Sequence, residues 1–210
     1  MYVPRFNALD DDAAIRAMVL GIGSAELMTV GDDGYPLATR LPVVWEEDRV
    51  VMHIARANPH WRSVPADGDV PALAVVTDAE AYVSPAWYAS KAEHGRVVPT
   101  WNYSAVQITG RLRRHEDPEW VRHAVTLLTE RHESGRLDSW AVSDAPATYV
   151  DKQLKAIVGL ELTIERVEAK AKLSQNRSEE DRAGVVAGLR AEGGGREAVV
   201  AGQMEQPSRL

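Results

Sequence analysis

Residues 25–55, AELMTVGDDGYPLATRLPVVWEEDRVVMHIA, decide the fold. Ala25 to Val30 is short and apolar. Gly31-Asp32-Asp33-Gly34 is a turn. Leu37, Thr39, Leu41, Val43 and Trp45 then alternate along a second strand. Glu46-Glu47-Asp48 turns the chain again, and Arg49 to Ala55 gives a third strand. Such tight turns imply an antiparallel meander, because a parallel neighbour needs a long crossover.

Working outward, Asp10 to Leu20 reads as a helix. Asp10 or Asp11 caps it, Ile15, Met18 and Val19 share one face, and Gly21 and Gly23 stop it. Downstream, Asn58-Pro59 breaks the strand pattern ahead of a short helix from His60 to Val64. Val70 to Thr77 and Ala81 to Val83 read as two strands, and Pro85 to Pro99 as a loop. Trp101 to Leu112 is a long strand. Asp117-Pro118 opens a helix, a cap followed by Pro at the first helical position. Its apolar stripe is Trp120, Val121, Ala124, Leu127 and Leu128. Thr148 to Ala156 is a further helix. Val158, Leu160, Leu162 and Ile164 mark a half-buried strand, and Ser178 with Asp181 starts the last helix. Gly193-Gly194-Gly195 ends it. The expected organisation is one domain over residues 1–192 with a flexible polar tail over 193–210. Six or seven strands, mostly antiparallel and flanked by helices, predict a mainly β, α+β fold: a small closed or split barrel.

At 210 residues and 45% apolar composition the chain suits one soluble domain. No apolar run is long enough to cross a membrane. The N-terminus carries no signal-peptide pattern. Together with the absence of Cys, this points to the cytoplasm. The net charge of −7 argues against direct DNA binding, which draws its affinity from Lys and Arg at phosphates. Gly21-Ile22-Gly23 follows a helix and precedes a strand, the reverse of a dinucleotide loop. No Gly-x-Ser-x-Gly elbow is present. The six His are dispersed, so no metal site is expected and no catalytic residue stands out.

Four stretches carry candidate chemistry. In Ala38-Thr39-Arg40-Leu41-Pro42 a Pro interrupts a strand, which marks an edge or bulge. It is either a plain edge strand or one whose free backbone groups meet a planar ligand. His53 to Trp61 ends a strand in Arg56, then Asn58-Pro59, then a helix start with His60. It is either an exposed strand end or a phosphate cradle of guanidinium and backbone N–H groups. Ser84-Pro85-Ala86-Trp87-Tyr88 and Pro99-Thr100-Trp101-Asn102-Tyr103 bring aromatics to strand ends, as rim packing or as a ligand wall. Ala169 to Arg177, between the last strand and the last helix, is a dense set of donors. It is either a solvated loop or an anion or heterocycle site.

Taken together, these strings resemble the PaiB family of FMN-binding negative transcriptional regulators. The resemblance begins at Met1-Tyr2-Val3-Pro4 and covers roughly residues 1–192. It implies a split barrel of the pyridoxamine phosphate oxidase and flavin reductase type, a homodimer with FMN at the interface. Leu41 and Pro42 would lie against the isoalloxazine. Arg56, Asn58 and His60, with Trp61, would sit near the phosphate and ribityl chain. Trp101 and Tyr103 would cover the ring from the partner subunit. Lys172, Ser174, Gln175 and Asn176 would complete the pocket. Arg40 stands where the family commonly has His. It either touches the flavin with a permanent charge or faces solvent. An FMN-dependent oxidoreductase using NAD(P)H, and a barrel with a vestigial flavin pocket, are the alternatives.

Overall fold

A computed structural model describes residues 1–205. Among them lie six strands: β1 (Ser24–Val30), β2 (Pro36–Glu46), β3 (Arg49–Ala55), β4 (Val70–Val83), β5 (Thr100–His115) and β6 (Ile157–Lys172). The α-helices are α1 (Asp12–Ile22), α2 (Ser90–His94), α3 (Pro118–Glu133), α4 (Ala147–Leu154), α5 (Glu179–Glu192) and α6 (Gly195–Glu205). The strands form an antiparallel barrel in the order β1-β2-β3-β6-β5-β4, the mainly β, α+β architecture that the meander predicts. None of the helices is long and apolar enough to cross a membrane. The chain divides into two compact units.

One unit comprises Val19–Val76 and Gln107–Val167 and holds β1, β2 and β3 with parts of β4, β5 and β6. The β1–β2 hairpin runs in register from Val30↔Pro36 to Ser24↔Pro42. β2 then changes partner, pairing with β3 from Val43↔Met52 to Glu46↔Arg49. The half of β2 from Pro36 to Pro42 is thus flanked by β1 on one side and has no β3 pairing on the other. That is where a Pro, lacking an N–H, is tolerated in a sheet. β3 pairs with β6 from Arg49↔Thr163 to Ala55↔Ile157. Alternate residues point inward, and Leu27, Val43, Val50, Met52, Ile54, Leu160 and Leu162 are fully buried. Helix α3 begins as expected: Pro118 takes the first position and the Asp117 carboxylate accepts from the Trp120 N–H at 2.8 Å. Trp120 stacks on His115 with ring centroids 3.9 Å apart. Gly159 makes room for this pair, since a Cβ there would collide with the indole.

The other unit comprises Met1–Met18, Thr77–Val106 and the chain from Glu168. Its core is Ala81, Val83, Tyr88, Ala171, Leu173, Val185, Leu189, Val200, Ala201 and Met204. Ser178 caps α5 by accepting from the Asp181 N–H, as its spacing predicts.

Four sequence expectations need correction. The predicted strands at 70–77 and 81–83 are one strand, β4. Its polar centre is satisfied locally: Asp78 accepts from the Ala79 N–H at 2.7 Å and from Gln203 Nε2 at 2.6 Å. The predicted loop at 85–99 contains α2, where Ser90 N–H and Oγ donate to Asp181 at 2.9 and 2.8 Å. The donor-rich stretch expected to be a loop is strand as far as Lys172. The expected flexible tail is helix α6 up to Glu205, because Val200, Ala201 and Met204 supply an apolar stripe that is buried. The rest of that tail, residues 206–210, lies outside the described residues.

Candidate functional site

The candidate residues fall into two groups, one in each unit.

In the barrel unit, His60 anchors the first group. Asn58-Pro59 opens a 3-10 turn, Pro59–Ser63, with the Asn58 side chain accepting from the His60 N–H. The His60 ring is 5% exposed and lies between two threonines, Nε2 at 2.9 Å from Thr29 Oγ1 and Nδ1 at 2.8 Å from Thr39 Oγ1. Asn58 Nδ2 donates to the same Thr39 hydroxyl at 3.3 Å. Thr29 Oγ1 also lies 2.8 Å from Ser63 Oγ. Burial lowers the His60 pKa, so the ring is held neutral. Asn58 and His60 are therefore knotted to β1 and β2 rather than left as free donors.

Arg56 is likewise engaged. It donates to Glu116 at 2.6 Å and to the Lys155 carbonyl at 3.1 Å. This ion pair holds the Glu116 carboxyl below its usual range. Beside it, Trp61 donates from Nε1 to the Arg56 carbonyl at 3.0 Å. The guanidiniums of Arg56, Arg62 and Arg114 stand 5.6, 5.5 and 5.0 Å from the Trp61 ring. The sequence singled out Arg56 and Trp61. Arg62, beside Trp61 in the same turn, and Arg114, brought in from β5, were missed, since no spacing announces that a distant strand completes the cluster.

Arg40 faces outward, donating to Glu26 at 3.2 Å and to Ser24 Oγ at 2.9 Å across the β1–β2 pair. The Leu41 side chain is buried in the barrel core, while Pro42 is half-buried. Any ligand on this stretch meets its backbone, Arg40 and Pro42 rather than the Leu41 side chain.

In the other unit, Lys172, Ser174 and Asn176 of the second group border a cavity of about 310 Å³, whereas Trp101, Tyr103 and Gln175 do not line it. Lys172 Nζ donates to the Trp101 carbonyl at 2.8 Å and to Thr100 Oγ1. Its pKa is lowered, first by desolvation and further by Lys170. Ser174 sits in the left-handed region at φ 62° and places Oγ 3.1 Å from Asn102 Nδ2. Gln175 is structural: it donates to the Ala171 carbonyl at 2.5 Å and accepts from the Leu173 N–H at 2.7 Å, closing the turn after β6. Asn176 lines the cavity. Tyr103 accepts from Lys170 at 3.1 Å. Trp101 is exposed and meets Tyr82 edge-on at 6.0 Å. Lys170, Asn102, Tyr88 and Arg177 also line this cavity; they fall within the candidate stretches of the sequence, but no flavin contact was assigned to them there. A lysine on the buried face of a strand runs against the usual apolar pattern.

The barrel and these two groups define a split-barrel protein of the flavin-binding class. A family model described as "Putative FMN-binding domain" matches residues 1–166. The protein "Protease synthase and sporulation protein PAI 2" of Bacillus subtilis is 31% identical over 196 residues, spanning 91% of this chain and 90% of that one. Among solved structures, the FAD and heme binding protein from Mycobacterium smegmatis superposes with a TM-score of 0.61 at 20% identity, covering 84% of this chain and 79% of that one. The flavocytochrome Anf3 from Azotobacter vinelandii does so with a TM-score of 0.57 at 18% identity, covering 87% and 78%. The chain belongs to the FMN-binding domain family of the PaiB type, and FMN is the cofactor this membership gives it.

The donor sets fit that cofactor. Lys170 and Lys172 have no carboxylate within salt-bridge distance among the described residues, which suits an anionic ligand. Asn102, Ser174 and Asn176 suit hydroxyls or a heterocycle. Bound flavin supplies the redox chemistry, and the protein supplies binding, orientation and electrostatics.

Proposed function

We propose that this protein is a cytoplasmic, homodimeric FMN-binding regulator of the PaiB type that acts in negative control of transcription without gripping DNA itself. The observation that carries this reading is the likeness to PAI 2, which runs the length of both chains. The net charge of −7 supports action through a partner protein or a small molecule rather than through phosphate contacts. The flavin is assigned to Arg40, Leu41 and Pro42 on β2, to Arg56, Asn58, His60 and Trp61 after β3, and to Trp101, Tyr103, Lys172, Ser174, Gln175 and Asn176. Trp101 and Tyr103 come from the partner subunit in this reading. His60 and Asn58 act by holding the turn that presents Arg56 and Trp61; Gln175 acts by fixing the turn that presents Ser174 and Asn176.

Two assays test the reading. The purified dimer should leave duplex DNA unretarded at physiological salt. A band shift that persists there would assign DNA contact to the chain itself. Arg56→Ala, checked for an intact fold, should weaken FMN at least about tenfold while leaving riboflavin affinity unchanged, as expected for one lost charge-assisted phosphate contact. Unchanged FMN affinity would remove Arg56 from the site.

A second reading, an FMN-dependent oxidoreductase, is favoured by the likeness in fold to a flavocytochrome and to an FAD and heme binding protein. Oxidation of NADH or NADPH by the FMN-loaded protein would select it.

A further inference from the structure

We propose that the cavity bordered by Lys170, Lys172 and Arg177 is a built site for a phosphomonoester or comparable small dianion. Three cations from two neighbouring segments, the end of β6 and the turn into α5, line a single space of about 310 Å³. Lys170 is only 7% exposed. Its ammonium donates to the Tyr2 carbonyl at 3.3 Å and to Tyr103 Oη at 3.1 Å, which leaves one of three N–H bonds without a protein acceptor. Lys172 likewise engages two acceptors, Thr100 Oγ1 and the Trp101 carbonyl. Burying a charge without a counter-charge is costly, and two lysines held side by side add repulsion. An anion in the cavity removes both costs.

Independent of the cations, Tyr88 lines the same space, is 3% exposed, and its buried hydroxyl has no hydrogen-bond partner among the described residues. Arg177 lies over the Tyr88 ring at 4.7 Å. The acid that feels Arg177, Asp181, is already taken by the N–H and hydroxyl of Ser90. Ser174, strained at φ 62°, and Asn102 add neutral polar groups, and Tyr2 and Phe6 add apolar wall. The donor set matches a tetrahedral dianion: several N–H donors, a hydroxyl, and aromatic surface for the rest of the molecule.

The proposal shares Lys172, Ser174 and Asn176 with the flavin reading and rests on it only through them. The flavin reading gives the FMN phosphate to Arg56, which does not line this cavity, so the dianion proposed here is a separate phosphorylated small molecule. The test titrates the full chain with inorganic phosphate by calorimetry at low ionic strength, for the native sequence, Lys172→Gln and Arg177→Gln, with circular dichroism to confirm folding. FMN and riboflavin are titrated in parallel by absorbance. Saturable phosphate binding, weakened about tenfold or more in each variant, is expected. If phosphate instead competes with FMN but not with riboflavin, the cavity holds the phosphate of the flavin and the proposal of a separate ligand is overturned. If FMN-loaded protein still takes up phosphate, the cavity serves a second ligand. Absence of saturable phosphate binding, or binding that both variants leave unchanged, overturns the proposal. Normal FMN binding in that case leaves the flavin reading standing.

Discussion

Deleting residues 194–210 should cost about 4–6 kcal/mol of stability, although the sequence alone reads 193–210 as a flexible tail. The deletion removes α6, whose Val200, Ala201 and Met204 are at most 3% exposed. Full burial of a Val or Met side chain contributes about 1.5–3 kcal/mol, and vacated space adds a cavity cost. The same helix places Gln203 on Asp78, receives Arg182 at the Met204 carbonyl at 2.9 Å, and pairs Glu205 with Arg190 at 2.5 Å. Total stability of a domain is only about 5–15 kcal/mol, so the loss is a large share of it. Equilibrium urea unfolding of residues 1–193 beside the full chain measures the difference. Superimposable curves would show that α6 contributes nothing to the core.

His60→Ala should destabilise the barrel unit by about 2–4 kcal/mol and lower its melting temperature by about 5–15 °C. The imidazole joins Thr29 on β1 to Thr39 on β2, and its removal takes one of two hydrogen-bond partners from each hydroxyl, leaving Ser63 and Asn58. A pH signature accompanies the change. Burial lowers the pKa of His60, and of His53, below the ordinary value of 6.5. Between the folded value and 6.5 the unfolded chain binds more protons, so stability rises with pH across that window. It is fully present above 6.5 and is lost as the pH falls below it. Thermal melts between neutral pH and about pH 5.5 should therefore show a shallower acid loss in His60→Ala than in the native chain. Because His60 holds the turn that presents Arg56, its removal should weaken FMN more than riboflavin, in the same direction as Arg56→Ala. Unchanged FMN affinity in a folded variant would mean that the turn does not present the phosphate contact.

The barrel was legible because its signals are local. Turn residues at Gly31–Gly34 and Glu46–Asp48 separate runs of alternating polarity, and Asp117-Pro118 is a complete helix start. The centre of β4 and the end of β6 were not legible. Asp78 to Glu80 read as a break because their partners, Gln203 among them, are distant in sequence. Ala169 to Lys172 alternate Ala with Lys, which conceals a strand whose small residues and Lys170 are buried. Helix α6 was hidden behind three glycines, although Gly193 at φ 69° only ends α5.

Of the candidate site, the positions of interest were legible and the division of labour was not. Asn58, His60 and Gln175 carry the donor chemistry that a ligand site needs, and the fold uses those donors on itself. Arg40 is paired with Glu26, a neighbour that only the β1–β2 register reveals. Lys170 and Tyr88 gain their interest from burial, which a sequence does not display.

The most direct test of the central claim is an absorbance titration of the purified protein with FMN, read alongside its mass in solution. Saturation at one FMN per subunit, in a particle of twice the chain mass, is the predicted result. A flavin spectrum that stays that of free FMN at every ratio, or binding confined to a monomer, would contradict it.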